Sequence, residues 1–262
     1  YAFRGEPEDA LLYAEHGIDA MTVANNHTND FGDIGRMDTV ETLSYYDITP
    51  IGAYPEVSYI LKNNVRIGLL AFSPHRNSPN MNDKHLVSEL VKQANDNADI
   101  VVVFFHGGAE GLSKASTPLD TEYYLGEDRG NVREFAYNAI NAGADLVLGA
   151  GPHVLRGMEF YQGKLIAYSF GNFAGYGSLK TTDNLGISGI LDLTFDAESH
   201  ELIGGRIHSI YLNEKGIPFF DDQGRAVDLI NRLSEQDFNE NAVKLDPSGA
   251  IIFEKYDVIL NR

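Results

Sequence analysis

Apolar runs and polar breaks divide this chain into short strands and amphipathic helices. Residues 100–105 are nearly all β-branched or aromatic, the composition of a strand buried on both faces. Residues 146–148 read the same way, and the run breaks at Gly149, Ala150, Gly151 and Pro152, residues that stop a strand and turn the chain. A third stretch, 19–24, is apolar with polar punctuation and predicts another strand. Between these runs the apolar positions return every three or four residues. Pro7 and its acidic neighbours open a helix over 10–14 that stops at Gly17. Ile34, Met37, Val40 and Leu43 predict a helix over 34–46, with Asp33 as its expected cap. Further helices are predicted over 84–97 and 131–141, the second stopped by Gly143.

Hairpins are predicted where two apolar runs flank a turn pair. One joins 58–61 to 65–72 through Asn63 and Asn64, and another joins 158–161 to 165–170 around Gln162, Gly163 and Lys164. A short strand is expected at 50–53. Beyond Tyr176 the stretches 187–195, 201–212 and 251–259 alternate as strands, with one helix near 226–233. The last third, about 187–262, is thus expected to complete a second sheet. No glycine- or proline-rich linker divides the chain, so residues 1–262 are read as a single α/β domain.

Three of the predicted strands are followed closely by a histidine. His27 closes Asn25-Asn26-His27, His106 opens His106-Gly107-Gly108-Ala109-Glu110, and His153 follows Gly151 and Pro152. Open α/β sheets bind ligands at the carboxyl ends of their strands, so these histidines are read as site residues. His16, His75, His85, His200 and His208 lack that placement and are read as structural or surface residues. A second glycine corner, Gly171-Asn172-Phe173, offers another polar group after a strand. The loop 107–130 is long for a compact domain, which favours a functional role. Its acids Asp120, Glu122, Glu127 and Asp128, like Asp221 and Asp222 further on, are most simply solvated.

Composition narrows the chemistry. Lys+Arg 20 against Asp+Glu 38 gives a net charge of -18, with no basic run to relieve it, which argues against nucleic acid as a partner. Cysteine is absent, so a metal would have to use His, Asp, Glu, Asn or backbone oxygen. No stretch reaches the roughly 20 apolar residues of a membrane-spanning helix, and any export signal or anchor is expected outside these residues. Ser73, Ser113 and Ser169 have no nucleophile-elbow context, no phosphate-binding GxxxxGK[ST] loop occurs, and the glycines at 149, 151 and 157 lack dinucleotide-binding spacing. Hydride transfer and nucleoside triphosphate hydrolysis drop out. An Asn-His pair on one turn, with two further imidazoles and Glu110, remains suited to holding a metal and moving a proton.

Four separated motifs occur together: Val23-Ala24-Asn25-Asn26-His27 with Asp30 and Gly32; His106 to Glu110; Ala142-Gly143-Ala144-Asp145-Leu146-Val147 through Pro152-His153-Val154; and Tyr168-Ser169-Phe170-Gly171-Asn172-Phe173. In this order they resemble the poly-gamma-glutamate capsule synthesis protein CapA family, a branch of the calcineurin-like metallophosphoesterase superfamily. The resemblance implies a calcineurin-like αββα sandwich, two mixed β-sheets flanked by helices, with the site at the strand ends. It implies Asn26, His106 and His153 as ligands of a divalent ion, zinc, manganese or iron, one or two in number. Asn26 and His27 would form the catalytic pair, His27 as acid or substrate-orienting group, with Glu110, Asn172 and Asn25 on the substrate side.

The implied partners are an anionic exopolymer or phosphoester and the capsule synthesis or export machinery, at the cell surface or outside the cell. The family pattern also opens with a Gly-Asp strand and an Asn-Leu-Glu motif that these residues do not contain, so the N-terminal part of the fold is expected to be lacking. Gly151 stands where many relatives carry histidine, and Gly107 where many carry tryptophan, a change expected to open the wall of the site. Two functions follow: a metal-dependent hydrolase of a phosphoester or amide-linked polymer, or a noncatalytic polymer-binding scaffold with a degenerate metal site.

Overall fold

Both runs that read as doubly buried are central strands of one sheet. The computed structural model describes residues 2–253. In chain order the elements are α1 (Asp9–Glu15), β1 (Ala20–Thr22), α2 (Gly32–Tyr45), β2 (Thr49–Ile51), β3 (Ser58–Lys62), β4 (Val65–Phe72), α3 (Lys84–Asn95) and β5 (Ile100–His106). The two-residue strands β6 (Tyr123–Tyr124) and β7 (Glu127–Asp128) precede α4 (Val132–Ala142), β8 (Leu146–Ala150), β9 (Met158–Tyr161) and β10 (Lys164–Ala167). The last third comprises β11 (Ile187–Phe195), β12 (Leu202–Leu212), β13 (Pro218–Phe220), α5 (Arg225–Phe238), β14 (Lys244–Leu245) and β15 (Ile251–Ile252). None of the helices among the described residues is long and apolar enough to cross a membrane.

The main sheet has the order β3-β4-β5-β8-β10-β9. Its inner strands β4, β5, β8 and β10 run parallel, and the hairpin partners β3 and β9 run antiparallel at the edges. Asn63 and Asn64 adopt the left-handed conformation at the first hairpin turn, as do Gln162 and Gly163 at the second. One face is covered by α3 and α4, whose Val87, Leu90, Val91, Phe135, Ala136 and Ala139 pack on Leu70, Val101, Val103 and Val147. Each helix starts on a side-chain cap. Asp83 accepts from the backbone of His85 and Leu86, Asn131 accepts from Glu134, and left-handed Gly143 ends α4.

The opposite face carries a second β layer in two pieces. Ile51 of the parallel pair β1-β2, with Ala24 just after β1, packs on Leu69 and Ala71. Ile207 of the antiparallel β11-β12-β13 sheet, with Val227, Ile230 and Leu233 of α5, packs on Leu146, Leu165 and Ala167. Outermost, α1 and α2 bury Ala14, Val40 and Leu43 against Val23 and Ile48. The layering is αββα, as the motif resemblance implies. Between the two pieces lies a cavity of about 570 Å³, lined by Thr22 and Ala24 on one side and Ile190, Leu191 and Leu193 on the other, with Phe104 and Leu148 as its floor.

Several expectations need correction. Asp33 lies inside the first turn of α2 rather than capping it, and its carboxylate accepts from Arg36 and Asn77. Ile34, in the apolar stripe of that helix, is 84% exposed, because no layer covers the outer end of α2. β8 continues through Gly149 and Ala150, held by pairing with Phe105 and His106. Of the strand expected over 251–259, only Ile251–Ile252 is a described strand, and 254–262 lie outside the described residues. Two acids read as solvated are buried. Asp221 accepts from Ser209 and from the Arg225 backbone at the start of α5.

Glu122 is the other, and it forms a two-pronged ion pair with Arg156, with both N···O distances 2.7 Å. Arg156 also donates from Nε to the Lys114 carbonyl, and the Ala109 backbone donates to Glu122. This pair ties the long loop after β5 to the turn after β8. Arg156→Met will leave the Glu122 carboxylate buried without its partner and will cost about 3–5 kcal/mol of stability in urea unfolding. The double variant Arg156→Met/Glu122→Leu will recover a large part of that loss; a double variant as unstable as the sum of the singles would refute the account.

Candidate functional site

Parallel pairing of β4, β5, β8 and β10 brings their carboxyl ends to one edge, and the turns leaving that edge carry the polar residues. His106 is the last residue of β5, in register with Ala150 of β8. Its Nε2 is buried without a hydrogen-bond partner. Burial pushes its pKa down to about 3, and the charges of His75, His153, Arg129 and His27 push in the same direction. His106 is therefore a neutral imidazole with its neighbours gathered around it.

His153 sits in the left-handed conformation, with φ at 61°, on the turn after β8. Its Nδ1 lies 2.7 Å from the Asn172 amide oxygen. The orientation of that amide is fixed, because Asn172 Nδ2 donates to the Leu185 carbonyl at 3.1 Å. Nδ1 of His153 must then carry the proton, which leaves a lone pair on Nε2. His27 is held in the same way. Its Nδ1 is 2.9 Å from Asp30 Oδ2, and its backbone N–H donates to Asn25 Oδ1 at 2.7 Å. The same Asp30 oxygen accepts from the Phe3 backbone, and the Phe3 ring meets the His27 ring edge-on at 4.4 Å. Asn26 is half-buried on this turn. A carboxylate or amide behind an imidazole is the arrangement that orients histidines for metal or proton chemistry.

Sequence reasoning missed two members. His75, read as structural or surface, lies with its ring centroid 6.1 Å from that of His106. It belongs to the turn after β4, and Ser73 Oγ accepts from its backbone. The signal was present, since His75 follows a predicted strand as closely as His153 follows β8. Arg129 had no such signal. It comes from the far end of the long loop, and places Nη1 3.4 Å from His75 Nε2 and 2.9 Å from Glu110 Oε1. Glu110 in turn has Oε2 3.8 Å from His153 Nε2. His27, His106, His153, Glu110, Asn172 and Asn25 are thus brought to one edge, and Asn25 and His106 also line the cavity between the β-layer pieces.

Of the two glycines expected to change the site, Gly107 behaves differently from that expectation and Gly151 does not. Gly151 has φ +126°, and a Cβ there would lie 2.5 Å from the Gly107 carbonyl oxygen, so this backbone accepts glycine and no histidine. A Cβ on Gly107 would meet Met81 Sδ at 2.8 Å and the Arg129 carbonyl at 3.0 Å. The wall is filled from outside by Met81 and Arg129 rather than opened.

The orphaned Nε2 of His106 fits a metal ligand, and His153 presents a second free imidazole nitrogen. The set as a whole is not closed. Among the described residues, no group of three or more His, Asp or Glu side chains stands close enough together to hold an ion.

The layers define an α/β sandwich protein with a candidate site at the carboxyl edge of a largely parallel sheet. The chain belongs to the family described as bacterial capsule synthesis protein PGA_cap, whose model matches residues 1–176. It is 29% identical to the PGA biosynthesis protein CapA of Bacillus subtilis (strain 168), over 63% of this chain and 45% of that protein. It is equally 29% identical to the capsule biosynthesis protein CapA of Bacillus anthracis, over 63% of this chain and 42% of that one. The chain thus spans less than half the length of these relatives. Among solved structures, a hypothetical protein from Thermus thermophilus aligns with 79% of this chain and 76% of its own at 16% identity, with a TM-score of 0.43.

The depressed protonation of His106 gives a pH signature. Between about 6.5 and about 3 the unfolded chain binds a proton at this residue that the folded chain does not. Stability of metal-free protein therefore falls as pH drops through that window, by up to about 1.4 kcal/mol per pH unit from this residue. In urea titrations with chelator from pH 7 to pH 4, His106→Gln will show a flatter decline than the unsubstituted protein; parallel declines would refute the assignment.

Proposed function

We propose that this chain is a hydrolytic component of capsule polymer biosynthesis, acting at the cell surface on a phosphoester or on an amide-linked anionic polymer such as poly-gamma-glutamate. The observation that carries the reading is the buried, unpartnered Nε2 of His106 with three further imidazoles around it. His106 and His153 would hold a divalent ion through Nε2, with Asn26 offering its amide oxygen. Such an ion, when bound, lowers the pKa of water and polarises a phosphoryl or acyl oxygen. With its Nδ1–H held by Asp30, the doubly protonated form of His27 would give its Nε2 proton to a leaving group and keep the Nδ1 proton. Asn172 keeps the His153 ring in register, and Asn25 keeps the His27 turn closed.

A second reading has its own observation. The donor set among the described residues is incomplete, which favours a noncatalytic scaffold that binds the polymer for the capsule machinery.

Metal content by mass spectrometry after loading with zinc, manganese or iron, together with hydrolysis of a phosphodiester and of poly-gamma-glutamate, separates the two. In the hydrolytic reading His106→Ala lowers metal affinity by at least about tenfold. His27→Ala keeps the metal and loses about 10²–10⁴ in rate. Unchanged metal content in His106→Ala would overturn the reading. Polymer binding without metal uptake or turnover would establish the scaffold.

A further inference from the structure

Arg129 brings a permanent positive charge to the wall of this site, and its partners do not use it fully. Its side chain is 5% exposed, its guanidinium lies 5.3 Å over the Tyr124 ring, and its Nε is buried with no partner. A buried guanidinium binds best when its donors meet one carboxylate or phosphate in pairs. Here they meet two carboxylates singly, Glu110 Oε1 at 2.9 Å and Glu127 Oε2 at 3.3 Å. The Glu127 side chain is 61% exposed, so solvent weakens its hold. Glu110 is more enclosed, and its second oxygen faces His153 Nε2 at 3.8 Å. Its carboxylate therefore spans an arginine on one side and a histidine on the other, beside His75 and His106. The Arg156–Glu122 pair, which ties the same loop to the turn after β8, shows the contrast: there both prongs are used and both side chains are buried.

We propose that Arg129 is the anion receptor of this site and that Glu110 occupies it as an internal stand-in, displaced when an oxyanion of the substrate, phosphoryl or carboxylate, enters between Arg129 and His153. The chain as a whole carries a net charge of -18 and repels an anionic polymer, so recognition requires local positive charge. Arg129 supplies it at the strand ends. While Glu110 covers Arg129 the site presents little positive charge, and an entering group must offer more than one carboxylate oxygen at the same position. This selects for dianionic or bidentate groups over singly charged ones.

The inference rests on the same site as the hydrolytic reading, but its test does not require turnover. Inorganic phosphate is titrated into the 262-residue chain in chelator, with binding followed by the NMR shifts of the histidine rings. Glu110→Gln will tighten the phosphate Kd about tenfold and Arg129→Gln will weaken it at least about tenfold, changes of about 1.4 kcal/mol in opposite directions. Arg129→Lys, which keeps the charge and loses the fork, will fall between them and serves if Arg129→Gln does not fold. A purely structural ion pair predicts no tightening in Glu110→Gln, and a Kd unchanged or weakened there would overturn the proposal. So would a Kd unchanged in both Arg129 variants. Phosphate binding of the expected pattern, with no hydrolysis of phosphodiester or poly-gamma-glutamate by metal-loaded protein, would sink the hydrolytic reading alone.

Discussion

Parallel pairing of the inner strands is the constraint from which the rest of the site follows. A parallel ladder sends every strand out at the same edge, so the residues after β4, β5, β8 and β10 leave the sheet side by side. That alone brings His75, His106, His153 and Asn172 together from positions nearly a hundred residues apart in the chain. The strands can pair in this way because both faces are apolar and both are covered, by α3 and α4 on one side and by the second β layer on the other. The burial that stabilises the sheet also dries its edge. His106 stays neutral because packing around the strand end takes its imidazole out of water.

Burial of charge then organises the loops. The long segment after β5 has little regular structure and must satisfy its polar groups by other means. It does so through two arginines. Arg156 gathers Glu122, the Lys114 carbonyl and the Ala109 backbone into one closed network, which fixes the loop against the His153 turn. Arg129 gathers Glu110, Glu127 and His75 less completely. The two arginines thus hold adjacent parts of the same loop, one through a closed network and the other through single contacts.

The second β layer gives the molecule its asymmetry. β1 pairs with β2, β11 pairs with β12, and an apolar cavity separates the two pairs over the floor of the main sheet. The chain belongs to the bacterial capsule synthesis protein family, yet it spans less than half the length of the CapA relatives it matches. The histidine edge is held by its supporting carboxylate and amide groups, while among the described residues no three or more His, Asp or Glu side chains stand close enough together to hold an ion. Both readings of the function draw on that combination.

The elements and the strand-end placement of the candidate site residues were legible along the chain, because the signals that mark them are local. Unbroken apolar runs marked the central strands, three- and four-residue spacing marked α3 and α4, and the placement of His27, His106 and His153 after strands located the edge. What depends on neighbours distant in the chain was not legible. The burial of Glu122 against Arg156, the approach of Arg129 and His75 to His106, and the exposure of Ile34 on α2 are consequences of packing between layers and loops. A loop acid reads as solvated until a buried arginine stands opposite it, and an apolar stripe reads as buried until no layer covers it. Gly151 shows the same division. Its identity was plain in the sequence, but only the carbonyl of Gly107, 2.5 Å from where its Cβ would be, explains why no side chain fits there.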